Sequence, residues 1–140
     1  MPTIAAIDRD SAALALIKDA FEAEGFDVLL YRTRERALNA FETKSPDIVI
    51  TEVRLPEMDG IELLRRLRQR SSASVIFLSS RIDEADELIA LQIGADDFIR
   101  KPFASPLLVE RVKAILRRSR PPEPVKEQET SQNVPEVPGR

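Results

Sequence analysis

Short, mostly apolar runs alternate along the chain with longer amphipathic segments. The runs are Ile4 to Ile7, Asp27 to Tyr31, Asp47 to Thr51, Ser74 to Ser79 and Asp97 to Arg100. Runs of this length between polar or turn residues predict β-strands. The segments between them place apolar residues on one helix face, as at Leu14, Ile17 and Phe21, and predict α-helices. The pattern therefore predicts five strands alternating with five helices.

Local signals at the segment ends define the predicted helices. The predicted helices are residues 11–24 closed by Gly25, Thr33 to Thr43, Gly60 to Arg70 with Asp59 as N-cap, Asp83 to Ile93 closed by Gly94, and Ser105 to Ser119. Strands separated by helices favour parallel pairing with right-handed crossovers. The expected fold class is α/β, a doubly wound five-stranded parallel sheet in a three-layer sandwich.

In such sheets the functional site lies at the carboxyl ends of the strands. The side chains that follow those ends are Asp8, Arg9, Asp10, Glu52, Ser79 and Lys101. The first, third and fourth strands are nearly all apolar, as expected for central strands covered on both faces. Topology alone therefore selects a small set of polar residues as the candidate site.

Composition divides the chain into two parts and excludes several classes of site. Residues 1–119 form the predicted domain, whereas residues 120–140 hold five of the ten prolines and predict a disordered Pro/Glu-rich tail or linker. The chain contains no cysteine and no histidine, which excludes disulfides, zinc–thiolate sites and histidine acid–base catalysis. A net charge of -3 argues against nucleic-acid binding within this segment. No apolar run is long enough for a membrane span, so we expect a cytoplasmic domain.

Two motifs resemble a known family. The stretches LPEMDG (55–60) and GADDFIRKPF (94–103), together with the element order, make residues 3–119 similar to a response regulator receiver domain of two-component signalling. The resemblance implies the five-stranded parallel sandwich. It also implies a phospho-accepting aspartate after the third strand and an acidic Mg²⁺-binding pair after the first. A hydroxyl and a lysine would contact the phosphoryl group, and an aromatic switch residue would respond to it.

The resemblance assigns roles to particular positions of this chain. The positions that agree are Asp8 as first acid, Ser79 as hydroxyl, Phe98 as aromatic switch, and Lys101 as phosphate contact followed by Pro102, where the family usually has a cis peptide. Two positions depart. Arg9 stands in place of the second acid, and Glu52 stands in place of the phospho-accepting aspartate.

Both departures argue against ordinary phosphotransfer. Mg²⁺ requires oxygen ligands at about 2.0–2.1 Å, and arginine has no lone pair to offer. Glu52 carries its carboxylate one methylene further out, and a misplacement of about 1 Å can cost about 100-fold in rate. We therefore predict no metal and no cofactor. The hypothesis for the pocket is that Arg9 pairs with Glu52 while Lys101 reaches the same carboxylate. The alternatives are an Arg9 that faces outward as an ordinary surface residue and a Glu52 that is simply a tolerated acid at a solvated strand end. Asp10 is predicted to be a helix N-cap or first-turn acid, with a displaced metal ligand as the alternative.

Charged helices suggest surfaces for partners. Winged-helix response regulators dimerise through the face of helix 4, strand 5 and helix 5. Part of their charge set is matched here by Asp96, Asp97, Arg111 and Arg118, but Glu87 and Leu107 remove one pair. The third helix carries a basic run, which is either a solvated face or a docking site for an acidic partner. The run is Arg65, Arg66, Arg68 and Arg70.

The sequence as a whole predicts a pseudo-receiver that is not an enzyme. It would act through protein–protein interaction, independently of aspartyl phosphorylation, on a signalling partner or a second copy at the helix 4–strand 5–helix 5 face. Two alternatives stay open. One is a working receiver with atypical Mg²⁺-dependent phosphorylation. The other is the N-terminal part of a DNA-binding regulator with an effector domain beyond residue 140.

Overall fold

The computed structural model describes residues 2–53, 60–79 and 84–119. The elements run in the order β1 (Thr3–Ile7), α1 (Ser11–Glu22), β2 (Asp27–Tyr31), α2 (Arg34–Thr43), β3 (Ile48–Thr51), α3 (Gly60–Arg68), β4 (Ser74–Ser79), α4 (Glu84–Ile93), β5 (Asp97–Arg100) and α5 (Ser105–Ser119). The predicted alternation of strands and helices is confirmed. The predicted caps Asp59 and Asp83 and the tail at 120–140 lie outside the described residues. None of the helices within the described ranges is long and apolar enough to cross a membrane.

The five strands form one parallel sheet in the order β2-β1-β3-β4-β5. The chain crosses over the sheet between every pair of strands, and the order reverses direction after β2. This is the doubly wound α/β arrangement predicted from the sequence. The last residues of β1 and β3, Ile7 and Thr51, are register partners. The residues that follow these two strands therefore leave the sheet side by side.

The core has two layers, one on each face of the sheet. Ile4 and Ala6 of β1 belong to the layer covered by α1 and α5, and Ala5 and Ile7 belong to the layer covered by α2, α3 and α4. The alternation follows from the period of two along a strand. All five residues of β1 are buried because helices cover both sides, as the apolar sequence predicted.

Side-chain capping fixes where α1 begins. Asp10 has an extended backbone, and its carboxylate Oδ1 accepts a hydrogen bond from the Ala12 backbone N–H at 2.9 Å. This satisfies one of the N–H groups that a helix leaves without partners in its first turn. The prediction of Asp10 as an N-cap is confirmed, so its carboxylate is directed to α1.

The four arginines of the basic run occupy different environments. Arg65 and Arg66 share the carboxylate of Glu62 and remain more than half exposed, at 56% and 53%. Arg68 instead donates to the carbonyl oxygens of Ala73 and Gly94, at 2.6 and 3.0 Å. Its guanidinium therefore ties the end of α3 to the approaches of β4 and β5, and only part of the run is a solvated helix face.

Candidate functional site

Two buried acids lie next to each other at the carboxyl end of the sheet. The Glu52 backbone N–H donates to the Ile7 carbonyl at 3.0 Å, so the pairing of β1 and β3 continues one residue past β3. Asp8 in turn donates from its backbone to Tyr31 at 3.0 Å. These bonds hold the backbone at both acids. Asp8 is only 2% exposed, and Glu52 is only 7% exposed. Two carboxylates this deeply buried require partners.

Lys101 supplies a partner to both acids. Its Nζ lies 2.6 Å from Asp8 Oδ2 and 3.0 Å from Glu52 Oε1. The lysine side chain is 16% exposed, and the two acidic side chains are 3% and 9% exposed. Lys101 follows β5, so this contact joins the ends of β1, β3 and β5. We refer to the three residues as the lysine bridge.

The remaining carboxylate oxygens of the bridge accept backbone hydrogen bonds. Asp8 Oδ1 accepts from the Asp10 N–H at 2.9 Å, and Glu52 Oε2 accepts from the Val53 N–H at 2.9 Å. Each of the four oxygens therefore has a donor within hydrogen-bonding distance. Sequence reasoning missed these backbone donors. The bond to Asp8 joins residues two positions apart, as in an Asx turn. An aspartate directly after a strand is the sequence signal that could have predicted this turn.

The two acids favour the charged form of Lys101. Burial of the ammonium lowers the pKa of Lys101, but its hydrogen bonds to Asp8 and Glu52 outweigh that effect and raise the pKa above the usual 10.5. The lysine is therefore fully protonated at neutral pH. One buried ammonium offsets one of the two negative charges in the pocket.

The predicted ion pair between Arg9 and Glu52 is wrong. Arg9 is exposed, and among the residues that the structure describes no ion pair joins it to Glu52. Its backbone carbonyl accepts a hydrogen bond from Arg32 at 3.0 Å. The physical reason is that the Lys101 ammonium already contacts the carboxylate, while a guanidinium at the surface keeps its hydration and avoids a desolvation cost.

The other positions assigned by resemblance are only partly placed. Phe98 is half-buried and stacks on Phe77 in a tilted arrangement, with ring centroids 5.2 Å apart. The Lys101–Pro102 peptide is cis, as the resemblance implied. Ser79 is the last residue of β4, opposite Arg100 of β5, but its side chain lies outside the described part of the structure. The structure thus brings together Asp8, Glu52 and Lys101, with Phe98 packed in the core layer that α2, α3 and α4 cover.

The Mg²⁺ ion implied by the receiver resemblance does not fit these residues. The Arg9 side chain offers no oxygen, Asp10 Oδ1 is used as a helix cap, and the carboxylate oxygens of Asp8 and Glu52 already have donors. Within ranges 2–53, 60–79 and 84–119, no group of three or more acidic residues is arranged to hold a metal.

Comparison with known proteins identifies the family. Residues 4–113 match the response regulator receiver domain family. The chain is 38% identical over 117 residues to the alkaline phosphatase synthesis transcriptional regulatory protein PhoP of Bacillus subtilis, covering 83% of this chain and 49% of that protein. It is 40% identical over 119 residues to the transcriptional regulatory protein CpxR of Escherichia coli, covering 85% of this chain and 51% of that protein. The chain spans about half the length of the curated relatives it matches.

Solved structures of response regulators and receiver domains have the same fold as this chain. A two-component response regulator from Clostridium difficile superposes with a TM-score of 0.81 at 28% identity, covering 84% of this chain and 98% of that one. The BeF3-activated DrrB receiver domain superposes with a TM-score of 0.77 at 31% identity, covering 84% and 99%. Proteins of this kind are signalling and transcription regulators rather than classical enzymes. The chain belongs to the response regulator receiver domain family.

Proposed function

We propose that this receiver domain is a pseudo-receiver, a cytoplasmic signalling module that acts by protein–protein interaction and whose state is set without aspartyl phosphorylation. One observation carries the proposal. The position of the phospho-accepting aspartate holds Glu52, and its carboxylate is already bound by Lys101 at 3.0 Å and by the Val53 N–H at 2.9 Å. The acid is engaged as part of a structural ion pair.

Phosphoryl transfer to this pocket would meet three obstacles. An attacking carboxylate oxygen must be free and in line with the donor, but both oxygens of Glu52 have donors and the residue is 7% exposed. Charge that develops on the phosphoryl oxygens is normally neutralised by a metal, which these residues do not fit. Arg9 stands in place of the second acid, which would bind that metal. These points favour a pocket that does not cycle between two covalent states.

The lysine bridge also supports a fixed conformation. A longer acid that reaches Lys101 places negative charge towards the lysine, where a phosphorylated aspartate would place its own. The contact joins the ends of β1, β3 and β5, and the last of these strands carries Phe98 in the core. A buried ion pair is by itself weak evidence for stability, and we propose that this one specifies a single arrangement of the three strand ends. We therefore assign the bridge the task that a phosphoryl group has in the family.

The surface around α4, β5 and α5 is the proposed contact with a signalling partner. Leu88 and Leu91 of α4 are 58% and 49% exposed and lie on one helix face, and Leu107 at the start of α5 is 47% exposed. Large apolar side chains that are neighbours on an exposed helix face, as Leu88 and Leu91 are, favour protein contacts. Arg111 donates to both carboxylate oxygens of Asp97 within the same chain, at 2.8 and 2.9 Å. A homodimer held by ion pairs between subunits would have to break this pair within one chain and form it across the interface. A different signalling protein is therefore the favoured partner.

A second candidate function follows from the relatives. PhoP, PhoB and CpxR are named as transcriptional regulatory proteins, and the chain spans about half of each. On this alternative the domain is the N-terminal part of a DNA-binding regulator, and an effector domain follows residue 140. Sequencing the gene past the codon for Arg140 tests it, because a DNA-binding domain in the same reading frame would be expected there.

Treatment with Mg²⁺ and acetyl phosphate, followed by intact-mass measurement, tests the pseudo-receiver proposal against a working receiver. We expect no covalent mass change for the natural chain. The double variant Arg9→Asp, Glu52→Asp restores the acceptor and the second acid and should gain the mass of one phosphoryl group.

The matched control changes the same residue types outside the pocket, in Arg36→Asp, Glu42→Asp, and should gain nothing. Arg36 and Glu42 are both exposed on α2, so the control alters charge and side-chain length without touching the bridge. A phosphorylated natural chain would defeat the pseudo-receiver proposal and favour the working receiver.

A further inference from the structure

The pocket contains a cation that belongs to the chain. The Lys101 ammonium lies between Asp8 Oδ2 and Glu52 Oε1, at 2.6 and 3.0 Å, which is a short charge-assisted contact on each side. The two acids face the same point in space from neighbouring strands. A divalent cation shared by both carboxylates would have to occupy that point.

Entry of Mg²⁺ would require several of these contacts to break together. The ion needs oxygens at about 2.0–2.1 Å in a nearly octahedral arrangement and sheds its water reluctantly. Lys101 would have to leave both acids, and the backbone donors of Asp10 and Val53 hold the other two oxygens in their present directions. Against this, the metal would gain two carboxylates and, in the part of the chain that the structure describes, no third acid.

The lysine also competes as an intramolecular ligand. Its side chain is tethered at the end of β5, so its effective concentration at the acids is on the order of millimolar or above. Binding of the lysine costs no translational freedom, whereas each metal ion that binds must lose it. Arg9, next to Asp8 in the chain, adds a further positive charge at this end of the sheet.

We propose that Lys101 is the resident cation of this pocket and excludes divalent cations from Asp8 and Glu52, so that the state of the domain is independent of Mg²⁺. This inference rests on the proposed pseudo-receiver function, because it identifies what occupies the pocket in place of the phosphorylation chemistry. Lys101 is thus a specificity-determining residue that selects against metal.

Mn²⁺ is the probe for this inference, because its electron spin reports both the amount bound and the place of binding. Electron paramagnetic resonance counts free Mn²⁺ in solutions of the natural chain, Lys101→Met and Lys101→Gln. We expect both variants to bind one Mn²⁺ at least about tenfold more tightly than the natural chain. In NMR spectra of the variants, the amide signals of Asp10 and Val53 should broaden selectively, because these amides adjoin the vacated carboxylates.

Two control variants separate Lys101 from general charge effects. Lys18→Met removes an exposed lysine paired with Glu22 on α1 and should leave Mn²⁺ binding unchanged. Arg9→Met removes the positive charge that is next to Asp8 in the chain. Tight Mn²⁺ binding by Arg9→Met, with none by the two Lys101 variants, would overturn the proposal in favour of Arg9 as the excluding residue.

The natural chain provides a result that does not depend on any variant. Selective broadening of Asp10 and Val53 amides at low Mn²⁺ would overturn the inference, whatever the variants do. Such binding would leave the pseudo-receiver proposal standing as long as acetyl phosphate produced no mass change. A covalent phosphoryl group on the natural chain would instead defeat the proposed function, so the two failures are distinguishable.

Discussion

Replacement of Lys101 by methionine tests the energetic importance of the lysine bridge. Methionine has a similar length and no charge, so the change removes the ammonium and keeps most of the side-chain volume. Asp8 and Glu52 would then remain buried as two neighbouring acids without their shared cation. Their exposed side-chain fractions of 3% and 9% give water little access to replace it.

The size of the effect follows from the burial of the three groups. Removal of one partner from a buried ion pair costs about 3–5 kcal/mol, mainly because a charge is left uncompensated. Lys101 is itself 16% exposed, which allows some water to enter, so we expect a loss near the lower limit, about 3 kcal/mol. A domain of this size is stable by about 5–15 kcal/mol, and the variant should therefore still fold.

Urea denaturation measures this loss. The unfolding free energy of Lys101→Met at about pH 7.5 should be about 3 kcal/mol lower than that of the natural chain. Lys18→Met removes an exposed pair with Glu22 and should cost at most about 0.5 kcal/mol. Equal losses for the two variants would refute the reasoning.

Three further outcomes are expected in the same denaturation assay. Arg68→Met should lower the unfolding free energy by about 1–3 kcal/mol because two contacts to carbonyl oxygens are lost. Arg65→Met, on the exposed side of the same helix, should lower it by at most about 0.5 kcal/mol, and similar losses would contradict the different roles of the two arginines. Asp10→Ala should cost about 1 kcal/mol through loss of the α1 cap, and an unchanged midpoint would contradict that role. The pKa of Lys101 in the folded state is raised above 10.5, so the stabilisation by its ammonium is fully present below that pH and is lost as the pH rises through the folded value. The difference in unfolding free energy between the natural chain and Lys101→Met should therefore close only in strong alkali.

The strands and helices could be predicted because local patterns and the sheet agree. β4 and β5 have the predicted bounds, Ser74–Ser79 and Asp97–Arg100, and α5 covers Ser105–Ser119 as its serine and proline signals indicate. The helix ends were less well predicted. The helix pattern continues to Arg70, but α3 ends at Arg68. The Arg68 side chain donates to the carbonyl oxygens of Ala73 and Gly94, which follow the helix in the chain. That tertiary contact has no local signal in the sequence.

The members of the site could be predicted, but not all of their pairings. Parallel strands bring their carboxyl ends to one edge, so the proximity of Asp8, Glu52 and Lys101 follows from topology. The choice between two cations does not. Both Arg9 and Lys101 are predicted to contact Glu52, and the structure confirms the contact of Lys101 but not that of Arg9. Which cation is buried depends on side-chain direction and hydration, and residue order does not encode either quantity directly.

The most direct test of the central claim uses beryllium fluoride, which activates a receiver domain of similar structure. Amide NMR spectra of the natural chain would be recorded before and after addition of Mg²⁺ and beryllium fluoride. A bridge that fixes the domain without phosphate predicts unchanged signals at Glu52, Phe98 and Lys101, while the Arg9→Asp, Glu52→Asp variant responds at the same positions. Saturable shifts at those three positions in the natural chain would contradict the account.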